Sequence, residues 1–314
     1  MNNLKIIFMG SSDFAVKSLD NLLLNNYDIK AVVTAPDKKS GRGKKINFSD
    51  VKKYSLKKNL KLLQPENLKQ VDFVNKIKSF NADIIIVVAF RMLPKIVWEI
   101  PKKGTINLHA SLLPQLRGAA PIHWAIINGL KKTGVTTFFI NQKIDFGNII
   151  EQKEVKIEDF ENTGSLYEKL KIIGGLLILS TLKLISENNL KTIKQSNSLN
   201  LIKAPKLNKE NRKIDWNKSG FEIFNLIRGL SPFPSAWTKD KKNNKIIKLF
   251  NVIYHKEIKT KHLNGVISIK NNMLKILLKD GYLEVLEIQI EGKKRMSGKE
   301  FINGYREYDS IRLL

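Results

Sequence analysis

The 314-residue sequence contains no cysteine. That excludes a disulfide framework, a thiolate nucleophile and any zinc or iron–sulfur site built on thiolates. It also fits a reducing, cytoplasmic setting. Histidine is scarce: His109, His123, His255 and His262 are the full set, and none stands in HExxH spacing, so no metal centre is expected. Acidic side chains number 29 against 55 basic ones, and arginine supplies only 8 of the latter. Long apolar runs are missing too. The longest, residues 84–90 and 172–182, fall well short of the ~20 residues that cross a bilayer. The opening run at 6–9 is too short for a signal sequence. No G-x-G-x-x-G follows that run, where Gly10-Ser11-Ser12-Asp13 stands instead, which disfavours a dinucleotide cofactor. Gly41-Arg42-Gly43-Lys44 lacks the spacing of a phosphate-binding loop.

What is present is an ordinary globular balance, 42% hydrophobic and 27% charged, with a formal net charge of +26. The chain has 47 Lys, 39 Ile and 30 Asn. An AT-rich coding sequence would produce that bias whatever the function. The functional alternative is attraction to a polyanion such as RNA, whose phosphates exchange counterions for Lys and Arg.

Length suggests about two domains. In the first part, strand-like runs at 5–9, 29–34, 84–89, 105–109 and 135–140 alternate with helical patterns. One of these begins at Asp13, read as its cap, and carries Phe14, Val16, Leu19, Leu22 and Leu23. Another spans 119–127. Residues 84–89 are apolar throughout, as in a central parallel strand covered on both faces. The interleaving predicts an α/β fold with a doubly wound, mostly parallel sheet. Residues 37–45 read as a glycine-broken basic loop and 165–185 as a long helix. Residues 190–205 are polar, end in Ala-Pro and read as a linker, so the boundaries are 1–189, 190–205 and 206–314. Beyond it one helix near 220–228 is followed by short apolar runs at 246–254, 265–269, 273–278 and 282–288. The Asn271-Asn272 pair suits a hairpin turn, and the whole suggests a small β barrel or sheet.

The chemistry concentrates between Gly104 and Asn148. Asn107 and His109 are two apart at the end of a strand, so they project to one side. Ligands of open α/β sheets sit at that carboxyl end. Asp145 is the only acidic side chain between residues 101 and 150 and follows the next strand. An amide, an imidazole and a carboxylate suit acyl transfer to an amine. Asn107 would donate to a developing oxyanion, His109 would donate or move a proton, and Asp145 would fix the imidazole tautomer and help deprotonate the amine. Spacing alone leaves a second reading open, in which Asn107 caps a turn, His109 is a satisfied core residue and Asp145 caps a helix.

The run NLHASLLPQLRGAAPIHWAIINGLKKTGVTTFFINQKIDFGNII resembles the signature of the folate-dependent formyltransferases. The pieces IIFMGSSDFAVKSL, VVTAPDKKSGRGKK, LLQPENL, VVAFRMLPK, APKLNKENRKIDW and IRGLSPFPSAWT resemble the tRNA-directed branch of that family, in order over residues 4–240. The resemblance implies a C-terminal OB-like barrel. It implies transfer of the formyl group of 10-formyltetrahydrofolate to the methionine amino group of initiator methionyl-tRNA, without a metal, a membrane or an obligatory protein partner. Carried over by position, Asn107, His109 and Asp145 match the catalytic trio. Ser111, Leu112, Leu113 and Pro114 match the folate-contacting turn, and Phe90, Arg91, Met92, Leu93 and Pro94 match the segment lining the pterin pocket. Arg42, Lys44 and Lys45 match the loop that reaches the tRNA acceptor end. Departures are Ser12 where the family usually has Pro, Phe146 where Thr usually follows the aspartate, Asn148 for a common Asp, and an AFRMLP segment one residue short.

Other readings are formyl transfer to a small amine such as an amino sugar or a glycinamide ribonucleotide, hydrolysis of formyl-folate, and a non-catalytic RNA-binding module. The APKL, IDW and SPFPSAW stretches argue against the ribonucleotide, and the intact trio against the module.

Overall fold

The computed structural model describes residues 4–40, 45–196, 200–257 and 264–314. It divides into two compact units: residues 1–118, 133–155 and 167–203 form the first, and 119–132, 156–166 and 204–314 the second.

The first unit is built on a seven-stranded sheet. Its strands are β1 (Lys5–Gly10), β2 (Asp28–Val33), β3 (Leu62–Leu63), β4 (Ile84–Val88), β5 (Thr105–His109), β6 (Lys132–Phe139) and β7 (Ile149–Lys156), in the order β7-β6-β5-β4-β1-β2-β3. Strand β1 lies parallel between β2 and β4, with Met9 opposite Val33 and Val87. Strands β4 and β5 are parallel, with Val87 opposite Asn107, whereas β6 runs antiparallel to β5, with His109 opposite Thr136. The chain builds outward from β1 through β2 to β3, then returns to the other side of β1 at β4. The carboxyl ends of β1 and β4 therefore form a topological switch point, where open α/β sheets leave a crevice for ligands.

Two-sided burial explains the uninterrupted apolar strands. Ile7, Met9, Ala31, Val33, Ile85 and Val87 pack against Phe73, Val74 and Ile77 of helix Val71–Ser79 and against Leu93 and Val97. The alternate residues Ile6, Phe8, Val32, Ile84, Ile86 and Val88 are buried as well. Gly10 is required where β1 meets this layer, because a Cβ there would lie 2.6 Å from the Ala15 Cβ and 2.9 Å from the Val88 carbonyl oxygen.

Helix Asp13–Leu24 buries Phe14, Ala15, Leu19 and Leu22. Two details of its expected pattern change. Val16 and Leu23 are only half-buried, and the cap position is Ser12, with Asp13 the first helical residue. The Asp13 carboxylate instead takes a hydrogen bond from the Tyr167 hydroxyl and pairs with Lys171 at 3.1 Å. The long helix is Thr163–Ser186. The basic stretch read as a loop holds a short antiparallel ribbon, Lys38–Ser40 against Lys45–Asn47.

The second unit carries β8 (Ala236–Lys239), β9 (Ile246–Lys256), β10 (Val266–Lys270), β11 (Met273–Leu278) and β12 (Gly281–Ile290), ordered β8-β9-β12-β11-β10. All these pairings are antiparallel, and β11 alternates half-buried and buried residues from Met273 to Leu278. Asn271 and Asn272 turn the β10–β11 hairpin with φ of 50° and 56°, the left-handed pair a two-residue type I′ turn needs. Strand β8 comes from the SPFPSAW stretch, where no strand was expected. The terminal residues join the two edge strands: Leu314 N donates to Lys239 O and Leu313 N to Gly265 O, both at 2.8 Å. The sheet thus closes on itself in the barrel manner. Helices Gly220–Gly229 and Gly298–Gly304 each start with a capping box, Ser219 with Glu222 and Ser297 with Glu300. Among the described residues no helix is long and apolar enough to cross a membrane.

Candidate active site

Strand periodicity and loop packing together build the site. Asn107 and His109 leave β5 on the same face. Asn107 is half-buried, and among the described residues no hydrogen-bond partner engages its amide. His109 is 6% exposed, and its Nε2 lies 2.9 Å from the Leu116 carbonyl oxygen. A carbonyl only accepts, so Nε2 carries the proton and, in the neutral ring, Nδ1 carries a lone pair. Nδ1 faces Asp145 Oδ2 at 3.8 Å. That is an electrostatic contact beyond hydrogen-bond length. The expectation that Asp145 sets the imidazole tautomer is therefore corrected: Leu116 O sets it. Asp145 itself accepts from Gly118 N at 3.0 Å.

The antiparallel course of β6 makes this meeting of His109 and Asp145 unobvious. Its final residues lie beside the amino end of β5, where Ile140 N donates to Thr105 O at 2.8 Å, so the following loop must bring Asp145 back to His109. Gly147 permits the tight path, since a Cβ there would fall 1.5 Å from Phe139 O. Asp145 adopts φ 53°, in the left-handed region.

Residues Ser111 to Pro114 form a locked turn ending in a cis Leu113–Pro114 bond. The Ser111 hydroxyl donates to Gln115 O at 2.6 Å. Thr136 Oγ1 of β6 donates to Ser111 O at 2.6 Å and accepts from Leu113 N at 3.2 Å, while Gln152 of β7 donates to Leu113 O at 2.9 Å. Ser111 and Leu113 are buried and Leu112 and Pro114 half-buried. The Ser111 hydroxyl is thus committed inside the protein, and the turn offers a ligand its shape.

After β4, Ala89 takes φ 47° and the chain enters Phe90 to Pro94. Leu93 is anchored in the core and Phe90 packs against it, whereas Met92 is 76% exposed. The Arg91 guanidinium donates to the carbonyls of Glu66, at 2.7 Å, and of Pro65. Burial holds its pKa below the ordinary arginine value. Arg91 fastens this segment to residues 65–66 and directs its charge at backbone oxygens. Arg42 and Lys44 lie outside the described residues, and of Lys45 only the backbone is described.

Two participants went unassigned in the sequence. Gln195 lies in the stretch read as a linker, yet it is 5% exposed and donates to Asp145 O at 3.1 Å and Gly147 O at 2.8 Å. Arg117 donates to Gln195 Oε1 through Nε at 3.0 Å and Nη2 at 2.6 Å, with its guanidinium 4.1 Å from the Phe146 ring centroid. Burial lowers the Arg117 pKa against the opposing pull of Asp145. Arg117 was visible as part of LRGAAP, but Gln195 carries no local signal.

Residues 4–182 match the family model described as formyl transferase, and residues 206–306 match that of the formyl transferase C-terminal domain. The chain belongs to the formyl transferase family. Among its relatives, a protein of Flavobacterium johnsoniae named methionyl-tRNA formyltransferase is 51% identical over the full length of both chains. One of the same name from Bacteroides thetaiotaomicron is 43% identical, covering 99% of this chain and 98% of its own. Among solved structures, the sugar 3N-formyl transferase WlaRD, crystallised in the presence of dTDP and 5-N-formyl-THF, superposes with a TM-score of 0.67 at 25% identity, covering 93% of this chain and 99% of that one.

Proposed function

We propose that this protein transfers the formyl group of 10-formyltetrahydrofolate to the amino group of methionine on initiator methionyl-tRNA, in the cytoplasm and in support of translation initiation. Full-length similarity to proteins named for that reaction supports the reading. So does one observation of the site: Asn107, whose amide has no partner among the described residues, lies on the same strand face as buried His109, whose Nδ1 faces the Oδ2 of half-buried Asp145 across 3.8 Å, both atoms able to accept a proton.

The residues suit formyl-folate chemistry. Phe90, Met92 and Pro94 are apolar side chains in the segment just past the switch point and would suit a flat pterin, Leu93 anchors that segment in the core, and the Ser111–Pro114 turn would supply the remaining folate contacts. The bound co-substrate supplies an activated formyl carbonyl. Asn107 donates to that carbonyl oxygen as negative charge grows on it, a preorganised hydrogen bond stronger in the transition state than in the ground state. Two facing acceptors attract a proton between them, so the His109–Asp145 pair is built to take one from the attacking amine and release it toward the departing nitrogen. The Leu116 carbonyl keeps the imidazole in the orientation that makes Nδ1 the working nitrogen.

On this reading residues 1–189 form the catalytic domain, 190–205 the connection and 206–314 the tRNA-binding domain. Arg42, Lys44 and Lys45 are proposed to contact the acceptor end. Formylation of methionyl-tRNA by Asn107→Ala and His109→Ala tests the assignment. The expected loss in kcat is about 10²–10³-fold, as for removal of an oxyanion donor. Near-normal turnover with tRNA still bound would overturn it. Affinity for tRNA should fall steeply with salt if the basic excess meets phosphates. A flat salt response would assign the charge to composition alone.

A further inference from the structure

The carboxylate in the proposed pair sits on a loop tied down both from within, by Lys143 N to Asn141 Oδ1 at 2.9 Å and Phe139 N to Asn148 O at 3.0 Å, and from outside. Asp145 has φ 53°, in the left-handed region that aspartate enters when local contacts hold it there. Its neighbour Gly147 is pressed against Phe139 O. From outside, one side-chain amide bridges two of its carbonyls. Both Gln195 Nε2 hydrogens are taken, one by Asp145 O at 3.1 Å and one by Gly147 O at 2.8 Å.

The orientation of that amide is dictated from its other end. Arg117 presents two donors to Oε1, at 3.0 and 2.6 Å. A flipped amide would aim N–H at N–H there and oxygen at two carbonyl oxygens in the loop, so one orientation alone satisfies both sides. The Phe146 ring lies against the guanidinium at 4.1 Å, and Arg117 Nη2 also reaches Ser196 O at 3.3 Å. The segment carrying Gln195 is itself pinned, with Ile193 and Ile149 exchanging two backbone hydrogen bonds of 2.8 Å. Phe146, which departs from the family pattern, thus has a partner in the same assembly.

We propose that Gln195, oriented by Arg117, is the positioning residue that holds Asp145 at its working distance from His109. The inference rests on the reading of Asp145 given above. Gln195 touches neither substrate; it acts through the backbone of residues 145–147.

The test uses the purified full chain with methionyl-tRNA and 10-formyltetrahydrofolate. Gln195→Glu keeps the size of the side chain and its contact with Arg117, but sets a carboxylate oxygen against two carbonyls. The expected result is a fall in kcat of about 100-fold, the scale of an ångström-sized misplacement. KM for both substrates should stay near wild type, in a protein that remains folded at the assay temperature although its melting temperature falls. In an Asp145→Asn background the same substitution should cost less than about threefold, because residues acting as one unit are not additive. A wild-type kcat for Gln195→Glu overturns the proposal, as does an equal loss in both backgrounds, which would mark a merely structural role. If Gln195→Glu does not fold, Arg117→Lys, which cannot present the two-pronged grip, carries the comparison in both backgrounds. If Asp145→Asn retains full turnover, the reading of Asp145 itself falls. A dead Asp145→Asn beside a normal Gln195→Glu removes only the positioning role.

Discussion

Left-handed backbone is used in two ways in the two units. In the α/β unit, Asn26, Asn59, Asn81 and Asn188 each take positive φ two residues past the end of a helix. In the barrel unit, Asn244, Asn271 and Asn272 do so in turns between strands, while Ser235 does so just before β8 and Ser310 just past the short helical turn at 306–308. Asparagine tolerates this region because its short amide bonds locally, which makes it the usual substitute for glycine at helix ends and tight turns. Among the described residues the three remaining non-glycine cases are Ala89 (φ 47°), Leu116 (φ 61°) and Asp145 (φ 53°). All belong to the α/β unit, and all border the proposed site. Ala89 opens the segment after β4, Leu116 supplies the carbonyl that orients His109, and Asp145 is the carboxylate opposite it. Where the conformation closes a turn, the residue suits it. At the site, the surrounding contacts impose it. Leu116, for instance, is 1% exposed, and its N–H is held by Ile202 O at 2.7 Å. Strain that persists only because tertiary contacts over-determine it is a mark of function.

This contrast can be broken by substitution. The largest effects should separate cleanly: His109→Ala should lower kcat by about 10²–10³-fold with little change in melting temperature. Phe301→Ala, at a fully buried position of the barrel core, should cost about 3–5 kcal/mol of stability, read by denaturant unfolding. If His109→Ala destabilised the protein as much as Phe301→Ala, the rim would be core and the contrast false. A smaller effect is expected in the hairpin. Asn271→Ala should lose about 1 kcal/mol, the left-handed penalty of a residue without a local hydrogen bond.

Ala89→Gly should act in the opposite direction. Ala89 is exposed with φ 47°, so removing its Cβ should stabilise the fold by up to about 1 kcal/mol, while loosening the segment that carries Phe90 and Met92 and raising KM for formyl-folate. The smallest effect is a two-step acid response. Burial lowers the His123 pKa in the barrel unit, against the hydrogen bond to Phe233 O that raises it. The unfolded chain then binds the extra proton, so this contribution is lost as pH falls from about 6.5 toward the lower folded value. For Asp13 of the α/β unit, burial raises the carboxyl. The hydrogen bonds from Tyr167, Lys171 and Phe14 and the Lys171 charge outweigh burial and bring it below 3.8. Its contribution is present above 3.8 and lost only as pH falls further. His123→Gln should remove the upper step of a stability–pH curve and leave the lower one.

Much of this molecule was legible from short-range pattern. The apolar runs gave the strands, and β4 emerged buried on every residue. The two-residue period put Asn107 and His109 on one face, and the Asn271-Asn272 pair made the turn it suggested. The resemblance carried by residues 107–150 led to the family that the comparisons then established. Other features were illegible for a common reason. The Ser111 hydroxyl donates to one backbone carbonyl and the Arg91 guanidinium to two, partners that only the folded chain brings near. Strand β8 was hidden behind the prolines at 232 and 234.

By itself the sequence determined most of the principal strands and the long helix, which side of β5 holds an amide and an imidazole, and which family the chain resembles, because periodicity and motif are local properties of a chain. Only the tertiary structure decided that Leu116 rather than Asp145 orients the imidazole, that a carboxylate arriving from an antiparallel strand stands 3.8 Å from it, and that Gln195 and Arg117, 78 residues apart, hold the loop between them. Those relations are hydrogen bonds between remote segments. They exist only once burial has fixed where the segments lie, and no residue spacing encodes them.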